Sequence, residues 1–202
     1  MKRLDREARI MGKRPSTPMI TIPAVLVEAV KSKRVIPFLG AGASKESKNA
    51  AGKQPPDAEQ LRDILALKFF AKQIPNRDVM AVAEMAISVS GGSGLVYEAV
   101  RQAFEGYLPS AAHNLLTSFN WRMIATTNYD CLVERAYNSS SKAVQTPVKF
   151  IKDDEPVEER MQAVPKPVAY LKLHGCLDHI FDRDVPRAGP GILHRAISGV
   201  SA

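Results

Sequence analysis

The sequence predicts an α/β fold in which a parallel β-sheet carries helices on both faces. Three short apolar runs support this prediction, and each gives way to glycine or polar residues where a strand would stop; they cover residues 35–39, 122–126 and 168–173. Open α/β sheets bind their ligands at the carboxyl ends of their strands. We therefore expect a functional site where these three strands end.

The chain between the first and second strands is predicted to be mostly helical. A helix from Pro23 to Lys33 precedes the first strand, since proline is favoured in an opening helical turn and lysine in a last one. Apolar residues recur at helical spacing in four later stretches, at 57–72, 77–89, 95–107 and 111–119. We expect these helices to form an insertion, with the polar residues 44–56 as a loop that covers a ligand.

The remaining elements complete one domain. The pattern predicts a helix at 130–137, a strand at 147–151, an acidic surface turn at 153–159 and the strand at 168–173. Residues 1–18 are predicted to be a mobile basic arm, residues 19–186 the domain, and residues 187–202 an irregular tail without clear periodicity.

The composition is typical of a globular domain, with 45% hydrophobic and 24% charged residues. The net charge of +7 comes mostly from the two ends, because residues 1–14 carry +4 and residues 187–202 carry +2, which leaves about +1 between them. The low aromatic content also disfavours a surface for stacking bases, so a nucleic-acid partner is not expected. No membrane span or secretory signal is recognisable, which predicts a cytoplasmic protein.

The first strand leads into a glycine turn that is typical of a phosphate cradle. The turn reads Gly40-Ala41-Gly42-Ala43-Ser44, and its glycines have the freedom to take positive φ and let the backbone approach a pyrophosphate near a helix N-terminus. The dinucleotide fingerprint is incomplete, because its third glycine would fall at Lys45. An ordinary strand-to-helix turn, with Ser44 as a helix N-cap, is the alternative.

Three residues after the later strands are candidates for catalysis. The Asn128 amide can both donate and accept hydrogen bonds, the Asp130 carboxylate can stabilise positive charge, and the His174 imidazole can take a proton near neutral pH. Alternatively, Asn128 and Asp130 cap the next helix, and His174 is a hydrogen-bonded interior histidine.

The two cysteines, Cys131 and Cys176, give neither a disulfide framework nor a C-x-x-C pair, and packing is the favoured interpretation for both. Cys176 lies near His174 and His179 in the sequence, but the spacing matches no familiar zinc pattern. We therefore expect no metal site. His113 is expected to pack or cap near the second strand.

Taken in order, Gly-Ala-Gly-x-Ser, Thr-Thr-Asn-Tyr-Asp and Leu-His-Gly resemble the three signatures of the sirtuin-like superfamily, over about residues 20–186. The resemblance implies a Rossmann-like, NAD-binding sheet and cleavage of the nicotinamide-ribose bond of NAD. It implies catalytic roles for Asn128, Asp130 and His174. It also implies that NAD contacts Gly40, Ala41, Gly42, Ala43, Ser44, Thr127 and Gly175.

The chain is most similar to the bacterial NAD-hydrolysing branch, which commonly serves in antiphage defence. Protein-deacylating sirtuins carry a zinc ribbon held by four cysteines, and this chain has two. The resemblance therefore implies an NAD glycohydrolase. Its partner would be a second copy of the chain, a sensor domain or a sensor protein. A module that only binds NAD or ADP-ribose, or an inactive remnant, is the alternative, and a deacylase is third. Because the family sheet continues with further strands, the chain is also expected to be truncated near Pro186.

Overall fold

A computed structural model of the chain describes residues 21–151, 155–173 and 175–177. The predicted arm, the predicted tail and His174 lie outside these residues. The described part contains a four-stranded sheet whose strands are all parallel, in the order β1-β2-β4-β3. The strands are β1 (Phe38–Leu39), β2 (Met123–Thr126), β3 (Thr146–Phe150) and β4 (Pro167–Lys172).

Seven α-helices and one 3₁₀ helix accompany the sheet in the described part of the chain. The α-helices are α1 (Ala24–Lys31), α2 (Ala58–Phe70), α3 (Val79–Ser90), α4 (Gly94–Ala103), α5 (Ala111–Leu116), α6 (Leu132–Ser139) and α7 (Val157–Gln162). The 3₁₀ helix covers Ala41–Ser44. No helix within the described ranges has the length and apolar content needed to cross a lipid bilayer.

The predicted helical insertion is confirmed, and it has a hydrophobic core of its own. Helices α2, α3 and α4 pack together through six buried side chains, Leu65, Ala66, Val82, Ala86, Val96 and Ala99. Asp57 caps α2 in a reciprocal capping box with Gln60, and Asp78 caps α3 by accepting from the Ala81 N–H group. Gly91 ends α3 with a φ of 72°, a left-handed conformation that favours glycine at the end of a helix.

Alternate residues of the central strands face opposite helices. On one face, Met123 and Ala125 of β2 belong to a cluster with Val157 of α7, whereas Ile124 packs on the other face with Val133 of α6. This alternation follows from the period of two along a strand. The α/β prediction, with helices on both faces of a parallel sheet, is therefore confirmed.

Two elements differ from the prediction. The expected acidic turn is partly helical, since α7 begins at Val157, which is buried, and Glu158 and Glu159 lie in its first turn, where the helix dipole favours negative charge. The first strand is shorter than expected. Its preceding residues still follow β2, because the Ala125 N–H group donates to the Pro37 carbonyl and the Arg122 N–H group to the Val35 carbonyl.

Candidate functional site

The segments that follow β1 and β2 leave the sheet side by side. Leu39 is aligned with Thr126 at the carboxyl end of the two strands. The Leu39 carbonyl accepts hydrogen bonds from the Thr126 Oγ1 hydroxyl at 2.9 Å and from the Thr127 N–H group at 3.1 Å. Thr126, which the sequence reasoning missed, thus joins the two segments. Thr127, a predicted NAD contact, is half-buried beside it.

Three predicted site residues form one hydrogen-bonded unit, the serine–amide–aspartate network of Ser44, Asn128 and Asp130. Asn128 Nδ2 donates to Ser44 Oγ at 3.0 Å and to the Gly40 carbonyl at 3.1 Å. Ser44 Oγ donates to Asp130 Oδ2 at 2.7 Å. The other oxygen, Asp130 Oδ1, accepts from the Leu132 N–H group at 3.1 Å. The network joins residues 86 positions apart.

The direction of these bonds determines which atom of the Asn128 side chain is left to accept a further hydrogen bond. Both Nδ2 hydrogens have acceptors, whereas Oδ1 accepts no hydrogen bond from the part of the chain that the structure describes. The side chain is half-buried, and Asp130 is only 8% exposed. Asn128 therefore offers an oriented acceptor, and Asp130 holds the Ser44 hydroxyl in the network.

The glycine turn is itself the 3₁₀ helix, and no α-helix begins until Ala58. Neither glycine uses its freedom to take positive φ: Gly40 has a φ of −107°, and Gly42 also lies outside the positive-φ region. The N-cap alternative for Ser44 was wrong, because Ser44 ends the 3₁₀ helix. Ala41 and Gly42 are exposed, and Ala43 is half-buried with its N–H group bonded to the Gly40 carbonyl.

The turn retains the property that a phosphate cradle needs. The N–H groups of Ala41 and Gly42 donate to no acceptor within the described residues. An added Cβ at Gly40 or Gly42 would meet nothing within 4 Å. Open space and free donors therefore occur together at the carboxyl end of β1, as anion binding requires.

The segment after β4 lies beside the segment after β2. The Leu177 N–H group donates to the Tyr129 carbonyl at 3.0 Å, and the Gly175 N–H group donates to the Lys172 carbonyl at 3.2 Å. Gly175 has a φ of +95°, a conformation that an L side chain rarely adopts, so glycine is required there. The predicted proton acceptor, His174, falls in the gap in the described residues immediately before Gly175.

A second group of side chains lies next to Asp130, and the sequence reasoning missed it. This cysteine–lysine cluster consists of Cys131, Glu134, Lys149, Lys172 and Cys176. The two Sγ atoms are 3.6 Å apart. Lys149 Nζ is 3.5 Å from Cys176 Sγ. Glu134 Oε1 is 3.4 Å from Lys172 Nζ and 3.8 Å from Lys149 Nζ.

Lys172 is the most buried member of the cluster, with an exposure of 0%. Its ammonium donates to the Asp130 carbonyl and, at 3.4 Å, to the Tyr129 carbonyl. Burial raises the pKa of Glu134, and the Lys172 ammonium opposes that shift. The hydrogen bond with Cys176 is the largest cause that raises the pKa of Cys131, and burial adds to it.

The cluster also contains a possible set of metal ligands. Cys131, Glu134 and Cys176 offer ligand atoms that all lie within 4.8 Å of one another. However, the ammonium groups of Lys149 and Lys172 occupy the same neighbourhood. They would repel a divalent cation, so the charge distribution disfavours a metal here.

His113 occupies the capping position that the sequence suggested. It is 4% exposed, and its Nδ1 atom lies 2.8 Å from Ser110 Oγ in a capping box at the start of α5. Burial lowers the pKa of His113 below its ordinary value of 6.5, and the Asp130 charge opposes this shift.

Comparison with known families gives one result for this chain. Residues 122–186 match the family model of the SIR2-like domain. The sequence has no match among the curated proteins. The matched stretch contains Asn128, Asp130 and His174, whereas the glycine turn precedes it. The SIR2-like domain is associated with the binding or use of NAD, and this match supports a place for the chain in the sirtuin-like superfamily.

Proposed function

We propose that this protein is an NAD glycohydrolase, which cleaves the nicotinamide-ribose bond of NAD to give nicotinamide and ADP-ribose. The observation that carries the proposal is the orientation of Asn128. Its Nδ2 hydrogens are bound to Ser44 and Gly40, which leaves Oδ1 as an acceptor beside the glycine turn. The SIR2-like match over residues 122–186 supports NAD as the substrate.

NAD binding is assigned to the edge of the sheet where β1, β2 and β4 end. The free N–H groups of Ala41 and Gly42 would donate to the pyrophosphate, whose close approach the missing Cβ of Gly40 and Gly42 permits. Thr127 and Gly175 follow the neighbouring strands and would contact the ribose and nicotinamide portions. Backbone donors held in place in this way need little reorganisation when a ligand arrives.

Bond cleavage would proceed by attack of water on the C1′ atom of the ribose. The C1′–N bond breaks, its electron pair passes to the pyridinium nitrogen, and nicotinamide leaves as a neutral molecule. Asn128 Oδ1 would accept a hydrogen bond from the attacking water, and the nearby Asp130 carboxylate would favour the positive charge that develops on the ribose. His174 would accept the proton that the water loses.

The test is nicotinamide release from NAD by the purified chain, with its length verified by intact mass. We expect Asn128→Ala and His174→Ala each to lower the rate by about 100-fold or more. Asn138→Ala is the matched control, because Asn138 is an exposed asparagine in α6 and should leave the rate unchanged. Release that persists in both site variants would refute the proposal.

A binding module for NAD or ADP-ribose is the second candidate. The observation that favours it is the burial of Ser44 and Asp130, which are 6% and 8% exposed and hydrogen-bond to each other, as in a purely structural link. NAD binding measured by calorimetry, without nicotinamide release, would support this alternative. Turnover that depends on an acetylated peptide would instead indicate a deacylase.

We propose further that the hydrolase acts in bacterial antiphage defence as an effector that depletes NAD and works with a sensor domain or protein. Expression of the active chain in bacteria should then lower cellular NAD once the sensor responds to infection. The Asn128→Ala chain provides the comparison. Equal NAD levels in infected cells that carry either chain together with the sensor would argue against this role.

A further inference from the structure

The cysteine–lysine cluster brings together the chain's two cysteines, which are 45 positions apart in the sequence. Their Sγ atoms are 3.6 Å apart, and a disulfide requires about 2.05 Å. The sulfurs must therefore approach by roughly 1.5 Å. Cys176 lies beyond the end of β4, in an irregular segment, where such a displacement does not disrupt the sheet.

The charges around the sulfurs favour a thiolate. Lys149 and Lys172 bring two ammonium groups to the cluster, and Glu134 is the carboxylate that contacts both. Cys176 Sγ lies nearer to an ammonium, Lys149 Nζ at 3.5 Å, than to the Glu134 carboxylate, whose Oε1 atom is 3.8 Å away. Cys131 retains its proton, because its hydrogen bond with Cys176 raises the pKa of its thiol.

A cavity lies next to this pair. A cavity of about 520 Å³ is lined by eight residues that include Glu134 and Lys149, and both of these contact Cys176. Cys131 is half-buried rather than enclosed. A molecule the size of a peroxide therefore has room beside the residues that contact Cys176, and Cys131 is partly exposed.

We propose that Cys131 and Cys176 are a redox modification site at which a peroxide oxidant produces a reversible intramolecular disulfide. The Cys176 thiolate attacks the peroxide oxygen, the O–O bond breaks, and Cys176 becomes a sulfenic acid as hydroxide leaves. The Cys131 sulfur then attacks Cys176 Sγ, the S–OH bond breaks, and water leaves with the proton of Cys131. Two thiols and one hydrogen peroxide thus give one disulfide and two waters.

The first test is treatment of the purified chain with hydrogen peroxide, followed by intact mass and a thiol count. The expected product is a monomer that has lost two hydrogen atoms and both thiols together, and that regains both on reduction. Because the chain has two cysteines, Cys131→Ser and Cys176→Ser each leave one thiol, which should gain oxygen or form an intermolecular dimer. Wild-type chain that yields sulfinic acid or dimers without the loss of two hydrogens would overturn the proposal.

A redox titration against glutathione tests the geometry without any substitution. If the fold holds the sulfurs together, the equilibrium constant for disulfide formation against glutathione should be at least about tenfold larger for the folded chain than for the chain in urea. Equal equilibrium constants for the folded chain and the chain in urea would contradict the proposal. Zinc that copurifies in equimolar amount and blocks both thiols until a chelator is added would also overturn it, in favour of a metal site at Cys131, Glu134 and Cys176.

Discussion

The serine–amide–aspartate network and the cysteine–lysine cluster lie on either side of the end of β2, yet they differ in their charges and in how their hydrogen bonds are arranged. The first is a directed chain of neutral donors that ends on one carboxylate, Asp130. The second gathers two ammonium groups around one carboxylate and two thiols. The difference fits the functions proposed for the two groups, since the first would orient NAD and the second would combine structural support with thiol chemistry.

The largest expected effect comes from removing the buried ammonium of the cysteine–lysine cluster. Lys172→Met would remove the ammonium that donates to the Asp130 and Tyr129 carbonyls and would leave the Glu134 carboxylate without its closest cation. We expect a loss of about 3–5 kcal/mol in the free energy of unfolding, measured with urea. Lys68→Met is the control, since Lys68 is exposed on α2. Equal stability of the two variants would show that the cluster supports little of the fold.

The network should be less important for stability and more important for the ligand. Ser44→Ala removes the hydroxyl that donates to Asp130 and accepts from Asn128. We expect a loss of about 1–3 kcal/mol, because a buried carboxylate loses one of its donors, together with weaker NAD binding. Ser139→Ala, at an exposed serine of α6, is the matched control. Unchanged NAD affinity in Ser44→Ala would separate the network from the ligand site.

Two glycines distinguish backbone strain from ligand contact. Gly175→Ala should cost about 1–3 kcal/mol, because Gly175 has a φ of +95°. Gly42→Ala should change stability by less than about 0.5 kcal/mol, since its φ is not positive and the space for a Cβ is open. Calorimetry with NAD should nevertheless show weaker binding to Gly42→Ala. Full NAD affinity in that variant would contradict the assignment of the turn to the phosphates.

The smallest expected effect is the pH dependence of stability that comes from His113. Because the pKa of His113 is lower in the folded state than its ordinary 6.5, the unfolded chain binds more protons as the pH falls. Stability should thus decrease below pH 6.5, by at most about 1.4 kcal/mol per pH unit. His113→Gln preserves the capping box without a titrating group, so its urea midpoint should vary less with pH. An equal pH dependence would assign the effect to another group.

The fold could be predicted because most of its strands and helices leave local patterns in the sequence. Apolar runs that end in polar residues located β1, β2 and β4, and helical spacing located the insertion. The contact between Ser44 and Asp130 has no local signal, because it depends on which strands lie side by side. The same holds for Cys131 and Cys176, which meet only after β2 and β4 have paired. Helix α7 was missed because it begins within an acidic stretch beside Pro156, a composition that is typical of a surface turn.

The parallel order of the strands has a consequence for how the molecule folds during synthesis. Helices α2, α3 and α4 are close in sequence and share one core, so they can form soon after they leave the ribosome. Strand β2 lies between β1 and β4 and gains its second neighbour only when residue 172 has been made. We therefore expect the helical insertion to fold early, while both side-chain groups beside Asp130 take shape among the last parts of the described fold.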